Sequence, residues 1–406
     1  MKNLVTIEWM FFGVGRLAAA AARKGATLHL LTDHRAIYSY DLERTGTGGL
    51  VVHDVDTRDP DAVTAALEAI GEVAGVIGPV EKTDMLTLDV IARLGLRGPA
   101  AEAVRLVRDK RRLRAHLADA GLSKGAGVLA DPATARWDEL TAAVGSPFVV
   151  KDTAGSSSQN VWLIRSQEEF DGLRGTLRDA HPTGRLMAES YFVGPLYSAE
   201  TLSWHGDTRL LGISGRIMSP EPICREEALA FPVAFPAATR DEIAEWITGV
   251  LDSVGYSDGF AHTEFILTDS GFEVVEINPR IPGGPCGEHM SEVLGADLYE
   301  AMVEMALDIR PGMLDRPPAP TGGTASVPLY APRTGVFAGI EGLDRLDAHQ
   351  GDVVLHPTRS PGQTVHTVRD QSAAVAILSA GGDTAELALL NALSATRALH
   401  VAIDPA

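Results

Sequence analysis

Apolar and polar positions along the chain follow two different rhythms, one for each half. Near the start, residues 4–8 (Leu-Val-Thr-Ile-Glu) and 27–31 are almost unbroken apolar runs of strand length. Between them the alanine-rich stretch from Arg16 to Lys24 has helical length, and Gly25 is suited to ending it. Strands at 50–53 and 74–78 and helices at about 60–70 and 83–94 continue the alternation. Strands separated by helices of this length imply a parallel sheet with right-handed crossovers. Residues 1–98 therefore read as a Rossmann-like N-terminal domain, α/β in class.

From 100 to 121 the pattern is helical and closes at Gly121. Beyond that point strands follow one another through polar turns. Pro147 to Lys151 predict a strand that enters the loop Gly155-Ser156-Ser157-Ser158-Gln159-Asn160, and 161–164 predict the strand that leaves it. Ser166-Gln-Glu-Glu169 and Thr239-Arg-Asp-Glu242 have capping-box spacing and predict helices reaching about 179 and 254. Strands are expected at 185–190, 197–204 and 208–217, and 259–268 with 272–278 reads as a hairpin around Asp269-Ser270-Gly271. This second block, residues 99–310, is α+β with antiparallel sheet. Residues 311–323, with Pro311, Pro317, Pro318, Pro320 and three glycines, read as a linker. Strands near 324–330, 336–337, 353–356 and 364–368 and a helix at about 383–395 predict a small C-terminal α+β domain, 324–406.

Composition narrows the function classes. The 406 residues are 45% hydrophobic and 22% charged, the profile of a globular chain of several domains rather than a disordered or fibrous one. The formal charge of −19 repels nucleic-acid polymers and anionic membranes, so neither is expected as a partner. Two cysteines, Cys224 and Cys286, build no disulfide framework, which points to a reducing cytoplasm, and both are expected to be inert. The apolar start, Leu4 to Val14 followed by alanines, imitates a secretory signal, but Glu8 interrupts it and the segment runs on as strand and helix. A homodimer is the default assembly.

The hairpin carries the strongest candidate chemistry. Side chains alternate along a strand, so His262, Glu264 and Ile266 share one face, as do Glu276 and Asn278 on the partner strand. A three-residue loop at 269–271 would set Glu264 across from Glu276. Two carboxylates ~5 Å apart destabilise a strand pair unless a cation lies between them. Hard oxygen donors suit Mg²⁺; the bland alternative is two solvated glutamates. Arg280 follows at once and is placed to neutralise a phosphoryl group, with Gly283-Gly284 allowing backbone to approach the same anion or merely forming a turn. Lys151, ahead of Gly155-Ser156-Ser157-Ser158, suggests a phosphate nest unlike a Walker A loop, or else a flexible surface loop. In Asp109-Lys110-Arg111-Arg112-Leu113-Arg114 the three arginines are expected on a solvated helix face, and Lys110 alone would join them. Arg216 is a candidate grip for a substrate carboxylate, with His262 and Glu288 as further candidates. Gly13-Val-Gly15-Arg-Leu-Ala18 with Asp33 matches a dinucleotide fingerprint, but Trp9 to Phe12 make the preceding turn too long for one.

Taken in order, these motifs resemble the ATP-grasp superfamily of carboxylate–amine ligases. The resemblance rests on Arg-Asp-Lys110, Pro-Phe-Val-Val-Lys151 with its Gly/Ser loop, Glu189-Ser-Tyr-Phe192 before Gly194, His262-Thr-Glu264, and Glu276-Ile-Asn278-Pro-Arg280, spread over residues 1–310. Within the superfamily the chain is most similar to bacterial L-amino-acid ligases. The resemblance implies an ATP-grasp fold whose lid spans about 124–188, and ATP with two Mg²⁺ ions, Mn²⁺ being able to substitute. It implies that Lys110, Lys151 and the 155–158 loop hold the ATP phosphates, and that Glu189 and the backbone at Phe192 hold adenine. It gives metal binding to Glu264, Glu276 and Asn278, and stabilisation of an acyl phosphate to Arg280 and Gly283. Where many relatives carry a ribose-binding glutamate this chain has Leu196, so either Glu200 substitutes or ribose is held less tightly. The implied activity joins a small carboxylic acid to an amine, with amino acids as expected substrates. The alternatives are an NAD(P)-dependent oxidoreductase resting on Gly13, Gly15 and Asp33, and a biotin-carboxylase-like enzyme.

Overall fold

The apolar segments of the first hundred residues pair side by side as parallel strands, in the order Leu50–Asp54, Ala26–Thr32, Lys2–Ile7, Val73–Ile77. These come from a computed structural model, which describes residues 2–405 except 79, 181, 183 and 318. Pro318 of the expected linker therefore lies outside the described residues, as do 181 and 183 of the expected lid. The fold is the expected mixture of α/β and α+β units. One face of the parallel sheet is covered by the helix Val14–Arg23 and by Cys286–Leu294 and Leu298–Ala306. Leu4, Leu17 and Leu28 there share a core with Ile281, Met290 and Tyr299. That shared core anchors the N-terminal unit on the segment carrying Arg280.

Helical character between 100 and 121 is split. Ala101–Arg108 ends, Asp109 adopts an extended backbone, and its carboxylate accepts from Arg111 N (3.1 Å) and Arg112 N (3.0 Å) to start Lys110–Asp119. The segment expected as the lid is a four-stranded antiparallel sheet in the order Gly127–Leu129, Leu186–Ser190, Phe148–Asp152, Val161–Ile164. It has its own core of Phe148, Val150, Trp162, Phe170 and Leu186, backed by Trp137. Ser166 caps the lid helix Gln167–Asp179 as its spacing predicts, accepting from Glu169 N at 3.2 Å. The second capping box does not form. Pro236 precedes the helix, which opens at Ala237 and leaves Thr239 inside its first turn.

Eight antiparallel strands make the central sheet, in the order Gly271–Asn278, Gly259–Thr268, Leu196–Trp204, Asp207–Met218, Glu226–Phe231, Gly323–Tyr330, Ala374–Gly382, Val354–Pro357. The sheet continues across 311–323, so the C-terminal strands extend the central layer. Residues 312–315 of that segment form a 3-10 turn, and Leu314 is buried against the N-terminal unit's core. Sequence periodicity misses the strands Glu226–Phe231 and Ala374–Gly382, both rich in alanine. Neighbouring strands on each side supply the pairing that alanine's low strand propensity withholds. The strands Gly127–Leu129 and His400–Asp404 and the helix Trp137–Val144 are likewise outside the sequence expectation.

Candidate active site

In the hairpin, Thr268 pairs with Gly271, so the connecting turn is two residues, one fewer than expected. A register shift between Glu264 and Phe265 makes up the missing residue, and Glu264 stands directly across from Glu276. Arg216 Nη1 lies 2.8 Å from Glu264 Oε1 and 2.9 Å from Glu226 Oε2. Glu276 pairs with Lys110 Nζ at 3.2 Å and accepts from Asn278 Nδ2 at 2.8 Å. Burial opposes ionisation of Glu276, yet Lys110, Asn278 and Lys151 together hold its carboxyl far below the usual range. Burial is also the main influence on Glu226 and pushes its carboxyl up, against the pull of Arg216.

The lid delivers the second cation. Lys151 is 5% exposed, with Nζ 2.5 Å from Glu189 on the adjacent strand, and Arg114 reaches the same carboxylate at 3.4 Å. Burial pulls the Lys151 ammonium below the ordinary lysine value in spite of Glu189. Burial would raise Glu189, but Lys151 and Arg114 hold it low. Glu189, expected beside adenine, is instead buried between Lys151 and Arg114, where it orients Lys151; the Arg114 guanidinium lies 5.2 Å from the ring centre of Phe192. Lys110 opens its helix with N bonded to Thr153 O at 3.1 Å, and its Nζ donates to Gly155 O at 2.5 Å. It therefore ties the lid loop to Glu276. In that loop Ser157, Ser158 and Asn160 adopt positive φ, a curled backbone suited to anion binding. Ser156 and Ser157 are exposed. A Cβ on Gly155 would lie 2.8 Å from Asp152 Cβ, so a larger residue disturbs the loop's entry.

Arg280 is held from another part of the chain. Its Nη2 donates to Glu81 at 2.7 Å, in the loop that leaves the strand Val73–Ile77. Burial raises the Glu81 carboxyl less than Arg280 and Arg108 lower it. Gly283 is exposed and a Cβ there would meet nothing within 4 Å, whereas Gly284 carries the positive φ of 68°.

Geometry bears on the remaining expectations, correcting some of them. Glu200 is 2% exposed, and its oxygens accept from Ser198 Oγ (2.9 Å), Ser214 Oγ (2.8 Å) and His262 Nδ1 (2.8 Å), so its carboxylate is spent on these donors rather than left for a ribose. Arg114 is 3% exposed, not solvated, because it lies one helical turn from Lys110 on the same buried face. Glu288 is spent on Arg44 and Arg16. Asp41 Oδ2 accepts from Gly15 N at 3.1 Å, placing a carboxylate where a dinucleotide phosphate would bind. Gly13 and Gly15 are packing glycines, crowded by Tyr299 and Thr45. Cys286 is buried, which lifts its thiol to about 12, as an inert cysteine requires. Glu81 and Glu226 escape sequence reading altogether.

Glu264, Glu276 and Asn278 offer two carboxylates and an amide, a hard-oxygen set that fits Mg²⁺. Among the described residues no three His, Cys, Asp or Glu side chains converge as a cage. The fit is therefore to an ion that shares its coordination with phosphate oxygens and water.

Residues 144–289 match the model of the ATP-grasp domain, and residues 327–404 match that of the L-amino acid ligase C-terminal domain 2. An L-arginine-specific L-amino acid ligase of Bacillus subtilis is 24% identical, over 70% of this chain and 72% of its own. Carnosine synthase 1 of Gallus gallus is 27% identical over 67% of this chain, which spans only 31% of that longer protein. The crystal structure of an L-amino acid ligase from Bacillus licheniformis superposes with a TM-score of 0.83 at 19% identity, covering 100% of this chain and 99% of that one.

Proposed function

We infer that this chain, an ATP-grasp enzyme of the carboxylate–amine ligase class, joins one amino acid to another through an acyl phosphate, releasing ADP and phosphate. The observation that carries the reading is the opposition of Glu264 and Glu276, with Lys110 paired to Glu276, Lys151 near enough to lower its carboxyl and Arg280 Nη2 3.5 Å from Asn278 Oδ1.

A carboxylate is a poor electrophile, so its oxygen attacks the γ-phosphorus of ATP and ADP leaves, in an in-line transfer that needs positive charge rather than a protein nucleophile. Lys110, Lys151 and the 155–158 loop hold the phosphates, with Glu189 orienting Lys151. Phe192 and its backbone border the adenine. Glu264, Glu276 and Asn278 would hold two Mg²⁺ ions, Mn²⁺ serving in their place; bound metal offsets charge on the transferred group. Arg280 faces the acyl phosphate and the tetrahedral state, with Gly283 leaving its backbone accessible. The amine then attacks the acyl carbon, phosphate departs and the amine proton is lost. Closure of the lid excludes water that would hydrolyse the intermediate. Amino acids as substrates are supported by the likeness to L-amino acid ligases in sequence and in fold. The proposal extends to a homodimer in a reducing cytoplasm, where Cys224 and Cys286 stay unpaired.

A pairwise screen of amino acids, read by phosphate release, tests the reading. Release that needs both an acid and an amine is expected. ADP formed with neither, or none with any pair, overturns it, and turnover that needs bicarbonate and biotin points to a carboxylase instead.

A further inference from the structure

Three adjacent strands of the central sheet bring a buried chain of polar groups to one face. Glu200 and His262 are direct cross-strand partners, and Ser198 is paired with Ser214 on the other side. Glu200, an acceptor only, takes two serine hydroxyls and the Nδ1–H of His262 at 2.8 Å. This fixes the ring's tautomer and leaves Nε2 as an acceptor. Arg216 Nη2 donates to that Nε2 at 2.7 Å. With Nη2 occupied, Arg216 Nη1 spans Glu226 and Glu264 at 2.9 and 2.8 Å. Arg216 Nε has no hydrogen-bond partner among the described residues. A guanidinium in this position has a competing arrangement, the bidentate fork on one carboxylate. Taking it would draw Glu264 away from Glu276.

We propose that His262, anchored by Glu200, is a positioning residue that holds the Arg216 fork divided between Glu226 and Glu264 and so keeps Glu264 facing Glu276. The inference rests on the ligase reading only in taking Glu264 as a metal ligand. His262 touches neither substrate nor nucleotide; its Nε2 also lies 3.6 Å from Glu264 Oε1, beyond hydrogen-bond distance, whereas Arg216 bonds to it at 2.7 Å and carries its effect.

The test is a double-mutant cycle on Mg²⁺-dependent ATP binding, followed by calorimetry, with turnover measured beside it. H262N keeps the donor to Glu200 but offers Arg216 no acceptor, whereas the longer amide of H262Q places an oxygen near the Nε2 position. H262N and H262A are expected to raise the Mg²⁺ requirement ~10–100-fold, the usual effect of losing an outer-shell partner. H262Q recovers most of that loss. In an R216A background, adding H262A produces no further change. Additive effects of H262A and R216A overturn the proposal, as does an equal loss in H262N and H262Q when thermal denaturation shows both folded. If H262A fails to fold, the Asn and Gln pair still decides. Should wild-type protein bind Mg²⁺ and ATP yet phosphorylate no acid, the ligase reading fails while the cycle remains decisive for His262.

Discussion

Glu264 and Glu276 oppose each other across the hairpin, yet they are neutralised by different cations, Arg216 on the central sheet for one and Lys110 on a helix for the other. Each carboxylate has its own counterion from a different part of the fold. Replacing one therefore does not simply relieve repulsion. E276Q removes a hard anionic donor and loosens Lys110 from the hairpin. Turnover should fall ~100-fold or more, with a matching rise in the Mg²⁺ needed for ATP binding. Calorimetric titration at several Mg²⁺ concentrations checks this, and an unchanged Mg²⁺ dependence refutes the role given to Glu276.

Arg280 is bonded to Glu81, whereas Lys110 and Lys151 are paired with Glu276 and Glu189. R280A should leave ATP affinity near wild type while product formation drops ~10²–10³-fold, the effect of losing a donor to developing charge. Binding calorimetry and phosphate release, run on the same preparation, separate the two. Equal losses in both would move Arg280 to nucleotide binding.

Lys151 and Glu189 are a buried pair on neighbouring lid strands, 5% and 6% exposed. Removing only the acid strands a cation in the lid, so E189A should cost about 3–5 kcal/mol in chemical denaturation. Replacing both residues by apolar ones of similar volume should recover most of the stability while abolishing ATP binding. Recovery of binding as well would show that Lys151 does not hold phosphate.

Glu221, at the tip of the loop after the strand Asp207–Met218, meets both Arg165 of the expected lid and Tyr191, which directly follows the strand Leu186–Ser190. These contacts are half exposed, so E221A should shift the lid toward opening by about 1 kcal/mol at most, roughly fivefold. Faster hydrogen exchange in the strands Phe148–Asp152 and Val161–Ile164 is the expected result. Unchanged exchange there would show that the clasp does not hold the lid.

His356 is 1% exposed, bonded to Ser379 Oγ at 2.9 Å, and burial followed by His289 and Arg44 drives its pKa down to about 3. The unfolded ring takes a proton near pH 6.5. Between those values the unfolded chain binds the extra proton, so stability is full above about pH 6.5 and declines as pH falls, by about 1.4 kcal/mol per unit. H356Q should flatten the dependence between pH 6 and 4 by close to one proton. Parallel curves for the two proteins would overturn the assignment.

Local pattern was enough to identify the Rossmann-like first unit, the capped lid helix, the strand ending in Lys151 and the hairpin. Strand alternation, a capping serine and a turn are contained within a few neighbouring residues, and so was the face on which Glu264 lies. The two-residue turn with its compensating shift shows how far that reaches: the pairing of Glu264 with Glu276 was legible, its route was not. Only the tertiary structure decided which charges meet. Arg114 is buried and Arg111 exposed on the same helix because the lid and hairpin cover one face of it. Glu81 reaches Arg280 from 199 residues away, and Glu226 enters the site on a strand that exists because its neighbours pair with it. An ion pair depends on the distance and burial that long-range packing creates, and neither is encoded in the spacing of either partner along the chain.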